Sequence, residues 1–399
     1  MNQISRRDLL RALSLVAVSP FSVRAQSIPD HILGVELTTL KGWHANIYPW
    51  TYDPGWSTVH PVPALWDPPK WDEREQRYVG QYQSWLQIVR QSRQLEKYGS
   101  VADVLEFNVA PGNPDYNHWL RTYLGDNSDR PFYVLYEHIH GNSNYVEFNG
   151  EHNMDLYQNK KAFVDDIEFF LNNIVLPNKH RYVTVNGRAI IYLWAPSGMT
   201  GDFATLLRAV KLKYPIFFIG SVGLAGGLPE DPQVLRTLDA LDGYMDYGTP
   251  VFDKDENGIV KPDNYKTMTE RYAANSKEWR KKIGNKLFIP IFQAAYDDTK
   301  IPDRNGGSFM YPRTREEMER NAEVIKRGMT EIDKDLGRTV YDSNALFGVY
   351  SEIPEGGALI ESQCLPETID RPGRFVGCGT QRLEIISQVF RKPGGGRSQ

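Results

Sequence analysis

The feature that most constrains this chain is a regular alternation of short apolar segments with longer amphipathic ones. The apolar segments are rich in β-branched and aromatic residues, as buried strands are, and the segments between them have helical spacing. Strands that alternate with helices predict a parallel sheet, and eight such units in 399 residues predict one (β/α)8 barrel of the α/β class. The predicted strands are Ala45–Trp50, Ala102–Asn108, Pro131–Glu137, Ala189–Trp194, Ile216–Ser221, Leu241–Tyr247, Leu287–Gln293 and Ala345–Glu352. The predicted helices are Glu73–Tyr98, Asn117–Leu124, Lys161–Ile174, Phe203–Leu212, Asp231–Leu238, Tyr265–Lys282, Thr314–Lys334 and Gln381–Phe390.

Long connections follow several of these strands and predict extended βα loops. The segment Trp50–Asp72 is rich in proline and tryptophan and is too long for a bare connection. We expect it to fold over the mouth of the barrel.

Side chains at the carboxyl ends of the predicted strands are the candidates for a binding site, because barrel enzymes bind substrate at that face. Carboxylates, aromatic residues, an amide and a histidine make up the predicted substrate contacts: Tyr48, Trp50, Glu137, His138, Trp194, Asp246, Tyr247 and Gln293. This set suits a carbohydrate groove, because aromatic faces cover the C–H patches of pyranose rings. Structural alternatives exist. Glu137 can pair with an arginine, Asp246 can cap a stretch of backbone, and Trp194 and Tyr247 can fill the barrel.

Two glutamates follow the eighth predicted strand. The apolar run ends at Glu352, Pro354 cannot donate to a strand ladder, and Glu355 precedes a Gly-Gly pair. Residues three apart on an unbroken strand face opposite sides, so a turn at Pro354 can bring both carboxyls to one cavity. A solvated surface turn is the simpler interpretation, since glutamate is mostly exposed. The position at the catalytic face of a barrel favours Glu352 and Glu355 as an acid/base pair.

The first residues have the pattern of an export signal. Ser5-Arg6-Arg7-Asp8-Leu9-Leu10 is a twin-arginine pattern, and Val23-Arg24-Ala25 supplies small residues for a signal peptidase. A basic, disordered N terminus is the alternative. We therefore predict a twin-arginine signal peptide over residues 1–25, a single (β/α)8 catalytic domain over 26–391 and a disordered tail over 392–399. The protein is expected in the periplasm or outside the cell, and no other segment is apolar enough to span a membrane.

Charge and motif content argue against several partners. A net charge of -4 argues against nucleic acid, which requires a concentrated basic surface. Gly223–Gly227 lacks the spacing of a phosphate-binding loop, so we predict no cofactor. A metal site from Glu137, His138 and His140 is the less favoured interpretation, and we predict no metal.

The two cysteines, Cys364 and Cys378, lie in neither a CxxC motif nor a metal-ligand spacing. An oxidising compartment favours a disulfide between them, which would close a short loop just after the glutamates. Two free thiols are the alternative.

Several of these segments resemble glycoside hydrolase family 99, the endo-α-mannosidase group, and the related family 71 and family-99-like proteins. Ser351–Glu361 (SEIPEGGALIE) is similar to the family's Asn-Glu-Trp-x-Glu-Gly-x-x-Ile-Glu segment. Tyr48-Pro49-Trp50 resembles its Tyr-Pro-Trp-Tyr segment, Gly80–Ser84 its Gly-x-Tyr-x-Ser stretch, and Val185–Ile190 its approach to strand four. Ser351, Ile353 and Pro354 depart from the family pattern, which leaves the substrate open.

The resemblance implies a retaining endo-glycosidase that acts on α-linked, mannan-like or α-glucan-like polysaccharide. Glu355 would be the general acid/base. Glu352 would be the second carboxylate, which in the family deprotonates the substrate's 2-hydroxyl so that this oxygen attacks the anomeric carbon. Two alternatives stay open: a carbohydrate-binding barrel without catalysis, and a polysaccharide lyase or exopolysaccharide-processing enzyme with Tyr247 or a histidine as base.

Overall fold

Parallel strands close into a barrel, as the alternation of segments predicts. The computed structural model describes residues 28–40, 42–47, 62–63, 70–72, 77–79, 85–107, 123–125, 129–137, 145–148, 151–248, 264–297, 309–335, 346–350, 362–363 and 373–390. Within them each barrel strand pairs in parallel with its sequence neighbours, and the eighth pairs with the first. The strands are β1 (Gly42–Ile47), β2 (Ser100–Phe107), β3 (Phe132–Tyr136), β4 (Arg188–Leu193), β5 (Ile216–Gly220), β6 (Gly243–Met245), β7 (Leu287–Ile289 and Ile291–Gln293) and β8 (Leu346–Tyr350).

Strand β7 is divided because Pro290 has no N–H to give to a ladder. The half before it, Leu287–Ile289, pairs with β6, and the half after it, Ile291–Gln293, pairs with β8. The Pro290 carbonyl still accepts the Gly348 N–H of β8 at 2.9 Å. The sheet therefore closes through one strand that changes partner at its proline.

Helices lie close to where the sequence predicts seven of them, and most of the predicted helix Asn117–Leu124 lies outside the described residues. They are α1 (Trp85–Lys97), α2 (Tyr157–Phe170, followed by a wider π turn Leu171–Val175), α3 (Phe203–Lys213), α4 (Pro232–Ala240), α5 (Asn264–Lys282), α6 (Arg315–Asp335) and α7 (Gln381–Phe390). Carboxylates begin two of them: Asp202 accepts the Thr205 N–H before α3, and Asp231 accepts two N–H groups before α4. No helix among these is both long and apolar enough to cross a membrane.

The predicted helix Glu73–Tyr98 is wrong over Arg77–Val79, which is a strand. It pairs antiparallel with Lys70–Asp72, and the described helix spans Trp85–Lys97. Trp71, Tyr78 and Val79 are residue types that favour strands, and this preference outweighs the helical spacing of the sequence at Arg77–Val79.

Shorter strands decorate both ends of the barrel. They are Val35–Glu36, Val62–Pro63, Glu147–Phe148, Glu151–Asn153, Val183–Val185, Met199–Thr200, Tyr296–Asp297, Phe309–Met310 and Ser362–Gln363. Val62–Pro63, from the long loop after β1, pairs with Ser362–Gln363, which follows β8. The loops after these two adjacent strands are thus joined beyond the carboxyl end of the barrel.

The N-terminal segment is fixed to the turn that leads into β4. Asn186 and Gly187 have φ angles of 50° and 67°, the left-handed pair that a tight Asn-Gly hairpin requires. The Glu36 carboxylate accepts their backbone N–H groups at 3.0 and 2.9 Å. Val35–Glu36 meanwhile pairs with Val183–Val185, so this segment covers the amino-terminal end of β4.

Polar side chains cross the barrel interior. Nδ1 of His44 on β1 lies 3.0 Å from the Tyr133 hydroxyl on β3, which lies 3.4 Å from the sulfur of Met245 on β6. A Cβ added to Gly348 on β8 would lie 2.5 Å from the Met245 methyl group. Side chains from strands that are not neighbours in the sheet can touch only across the inside of the barrel. The side chains of His44, Tyr133 and Met245 therefore point inward.

A buried ion pair fastens β2 to the segment that precedes β3. The Asp103 carboxylate accepts from the Arg130 guanidinium at 2.7 Å, and both side chains are at most 2% exposed. Ser92 of α1 and Tyr123 also donate to this carboxylate. The charge of Asp103 is therefore compensated by several donors, as a buried carboxylate requires.

Candidate active site

The inward-pointing side chains identify which predicted site residues face the barrel mouth. Side chains alternate along a strand, and Tyr133 and Met245 point inward. Tyr136 points outward, since its hydroxyl donates to Asp166 on α2. Alternation therefore places Glu137, the residue after β3, on the interior side, where it is 4% exposed. The same rule places Tyr247 on the interior side, two residues beyond Met245.

Trp194 and Tyr247 meet at the mouth. Their ring centroids are 6.1 Å apart and their planes lie at 84° to each other, an edge-to-face arrangement. Trp194 follows β4 and Tyr247 follows β6, so the pair reaches across the end of β5. Both rings are partly exposed and pack against the hydrophobic core. The structure therefore brings together two of the predicted substrate contacts.

Gln293 is the last residue of β7 and shares this side of the barrel. Two residues earlier on β7, Ile291 is in register with Gly348, whose α-carbon faces Met245 inside the barrel. Gln293 is in register with Tyr350, and by alternation it points to the same side as Ile291. Its side chain is 3% exposed. Glu137, Trp194, Tyr247 and Gln293 thus lie at the carboxyl ends of β3, β4, β6 and β7, at the face where barrel enzymes bind substrate.

Asp246 points instead to the loop after β5. Its carboxylate accepts the backbone N–H groups of Val222, Gly223 and Leu224 at 2.6, 2.8 and 3.1 Å, and the residue is 1% exposed. Burial raises the pKa of Asp246 above its ordinary value, and the three N–H donors oppose that rise. Both oxygens are engaged with backbone, which is the capping role that the sequence left as an alternative.

Ser221 has a matching role that sequence reasoning missed. Its Oγ accepts the Ala195 N–H at 2.9 Å. Ala195 follows Trp194 directly and has a φ of 40°, which is unfavourable for a residue with a Cβ and is seen mostly where surrounding structure imposes it. A lone serine after a strand carries no pattern that separates it from other serines.

The remaining predicted residues lie outside the described residues: Tyr48, Trp50, His138, Glu352, Glu355 and Cys364. Strand β8 ends at Tyr350, two residues before Glu352. Cys378 is disulfide-bonded, and its pairing with Cys364 stays a prediction. Within the described ranges, no group of three or more His, Cys, Asp and Glu side chains is arranged to hold a metal ion.

Solved structures share this fold. The GH99 endo-α-mannosidase from Bacteroides thetaiotaomicron, in complex with bis-tris-propane, is 15% identical with a TM-score of 0.53, over 91% of this chain and 96% of that one. A glycoside hydrolase-like protein is 13% identical with a TM-score of 0.58, over 92% of this chain and 98% of that one. No protein-family model and no curated protein sequence matches the chain. The (β/α)8 fold implied by the resemblance is confirmed, and membership of family 99 stays a prediction.

Proposed function

We propose that this protein is an exported glycoside hydrolase that cleaves α-linked, mannan-like or α-glucan-like polysaccharide by endo action with retention. The observation that carries the proposal is the set of side chains at one end of the barrel. Glu137, Trp194, Tyr247 and Gln293 share the face at which β8 ends, and Glu352 and Glu355 follow β8 in the chain. The solved structures of the same fold include an endo-α-mannosidase.

In the proposed mechanism, Glu355 protonates the leaving oxygen and later activates water. On an α-mannoside, whose 2-hydroxyl lies trans to the leaving oxygen, Glu352 removes the proton from that hydroxyl and its oxygen attacks the anomeric carbon as the leaving group departs, as the resemblance to family 99 implies. Two carboxyl groups close together repel, so one keeps its proton to a higher pH and serves as the acid while the other stays ionised as the base. The aromatic pair Trp194 and Tyr247 would bind a pyranose by its C–H face.

The catalytic assignment is tested with Glu352→Gln and Glu355→Gln on a panel of α-mannans and α-1,3-glucans, with products identified by mass spectrometry. Loss of a general acid or base lowers the rate by about 10²–10⁴-fold, and we expect losses of that size for both variants. Glu278→Gln is the control, because Glu278 is an exposed residue of α5 whose carboxylate pairs with the exposed Lys281 at 2.7 Å. If both active-site variants cut as fast as the wild type, the assignment is wrong.

Two other outcomes would favour the alternative functions. Glycan binding by calorimetry with no product after days would indicate a binding barrel. Unsaturated products that absorb in the near ultraviolet would indicate a lyase. Proton NMR of the first-formed product decides the stereochemistry, and we expect the α configuration to be retained.

Export is proposed from the twin-arginine pattern and is tested independently of activity. In a bacterial host with that pathway, changing Arg6 and Arg7 to lysine should leave the protein in the cytoplasmic fraction, because the pathway reads the arginine pair. Unchanged periplasmic yield would contradict the proposal. The wild-type chain is the reference.

A further inference from the structure

A closed ring of contacts joins the ends of β4, β5 and β6. Trp194 touches Tyr247 ring to ring. Ala195, next to Trp194, donates its N–H to Ser221 at the end of β5. The loop that begins at Ser221 donates N–H groups to Asp246, which is next to Tyr247. Ser221 and Asp246, which are not part of the aromatic pair, therefore fix the backbone next to Trp194 and Tyr247.

The Ser221 side of the ring fixes the backbone just after Trp194. Trp194 itself continues the sheet, since its N–H donates to the Tyr136 carbonyl at 3.0 Å. Ala195 then turns into a left-handed conformation (φ 40°, ψ 57°). An alanine in that conformation is strained, and the conformation persists only where surrounding contacts compensate for the strain. The hydroxyl of Ser221 is the group that holds its N–H.

The Asp246 side of the ring fixes the loop after β5. Three consecutive N–H groups, those of Val222, Gly223 and Leu224, converge on one carboxylate. The Leu224 carbonyl in turn accepts from the Asn275 side chain on α5 at 2.7 Å. The loop and the end of β6 are therefore tied together directly behind Tyr247.

The rings meet across the end of β5. Gly220, the last residue of β5, is in register with Tyr244, whose hydroxyl donates to the Leu238 carbonyl on α4, so position 220 faces the helices. Alternation then places Ser221, a small residue, on the interior side. Side chains from β4 and β6 can thus touch across β5, the arrangement expected of alternate strands in such a barrel.

We propose that Ser221 and Asp246 are positioning residues, which hold Trp194 and Tyr247 in one fixed arrangement for stacking on a pyranose ring. This inference rests on the proposed function for the identity of the ligand, and it replaces the predicted contact of Asp246 with substrate. A preorganised pair avoids ordering two large side chains at the moment of binding. Loss of either positioning residue should weaken glycan binding through the rings.

The first experiment observes the ring directly and needs no activity. The protein is labelled with 5-fluorotryptophan, and the Trp194 fluorine resonance is assigned with Trp194→Phe. Ser221→Ala removes the acceptor for Ala195, and Asp246→Asn removes one of the two carboxylate oxygens. Each should shift or broaden the Trp194 resonance. An unchanged resonance in either variant overturns the positioning role of that residue.

Asp242→Asn is the matched control. Asp242 lies at the other end of the same strand, accepts the Phe218 backbone N–H at 2.9 Å and pairs with two basic side chains. The substitution removes the same chemical group and also costs stability, but away from the mouth. The Trp194 resonance and glycan binding should stay as in the wild type. If Asp242→Asn changes them as much as Asp246→Asn does, the effect is a general loss of stability and the proposal fails.

The second experiment is a double-mutant cycle on binding of α-mannan, measured by calorimetry in the Glu355→Gln background so that no product forms. Asp246→Asn alone should weaken binding about fivefold to tenfold, and with Trp194→Ala already present it should add less than about twofold, because both act through one contact. Additive losses would mean that Asp246 touches the glycan itself. If the parent protein binds neither α-mannan nor α-1,3-glucan, the proposed function fails while the fluorine spectra still decide the positioning role.

Discussion

Replacing His44 with phenylalanine should change how the stability of this protein depends on pH. His44 lies on β1 inside the barrel and is fully buried. Burial, helped by the positive charge of Arg130, lowers its pKa from 6.5 to about 3. The imidazole is therefore neutral in the folded protein over most of the acidic range, whereas in the unfolded chain it takes up a proton below about 6.5.

The sign and the size follow from linkage. Above the pKa of the unfolded state, His44 is neutral in both the folded and the unfolded protein, so it makes no contribution to the pH dependence of the unfolding free energy. As the pH falls below it, only the unfolded state binds the proton, and folding loses about 1.36 kcal/mol per pH unit. At about pH 4.5 the loss is about 2.7 kcal/mol, and by the folded-state pKa it approaches about 5 kcal/mol.

Phenylalanine has a cost of its own at neutral pH. It removes the contact between His44 Nδ1 and the buried Tyr133 hydroxyl at 3.0 Å, which should cost about 1–3 kcal/mol. Against this, Nε2 of His44 is buried and has no hydrogen-bond partner among the described residues, so its removal relieves a desolvation cost. The variant should be the less stable protein at about pH 8 and should equal or exceed the wild type at about pH 4.5.

The assay is urea denaturation of both proteins, followed by far-ultraviolet circular dichroism at several pH values with the disulfide intact. The quantity of interest is the difference in unfolding free energy, since the other titrating groups are common to both. His180→Asn, at an exposed histidine, is the control and should follow the wild type. Parallel curves for wild type and His44→Phe between about pH 8 and pH 4.5 would refute the reasoning.

Three other substitutions test contacts on which the barrel depends. Asp103→Ala removes the carboxylate of a buried ion pair and should lower the unfolding free energy by about 3–5 kcal/mol; a loss below about 1 kcal/mol in urea would contradict this. Gly243→Ala would place a methyl group 2.8 Å from Leu287 Cβ and should cost about 1–3 kcal/mol, while Gly125→Ala, where a Cβ meets nothing within 4 Å, should cost far less. Cys378→Ser opens a disulfide and should cost about 2–5 kcal/mol, seen as a lower midpoint by calorimetry; an unchanged midpoint would show that the bridge is not stabilising.

The barrel was predictable because a strand that is buried on both faces is a continuous run of apolar residues in the sequence. Ile190, Ile191, Phe218 and Ile219 belong to continuous apolar runs that a surface strand would not carry, and both runs are strands in the structure. The break in β7 could also be foreseen, since Pro290 cannot donate to a ladder. What the pattern could not give was the change of partner there, which depends on closure of the whole sheet.

Other features depend on contacts between residues that are far apart in the chain, and no local sequence pattern predicts such contacts. The charges and spacing of 73–84 suit a helix, but Arg77–Val79 pairs with Lys70–Asp72 as an antiparallel strand. Ser221 acts through the N–H of Ala195, 26 residues away. A hydroxyl that accepts from distant backbone has no local signature, because its partner is set by where two strands end.

The roles of Asp246 and Tyr247 follow from the period of a strand more than from their chemistry. Successive side chains on a strand point to opposite faces, so two adjacent residues at a strand end cannot both line the cavity while that geometry continues. Met245 points inward, which assigns Tyr247 to the mouth and Asp246 to the surrounding loop. The same reasoning separates Tyr136, bonded to Asp166 outside the barrel, from Glu137. Choosing candidates by residue type at strand ends selected both Asp246 and Tyr247, and alternation shows that Tyr247 faces the barrel mouth while Asp246 binds the loop behind it.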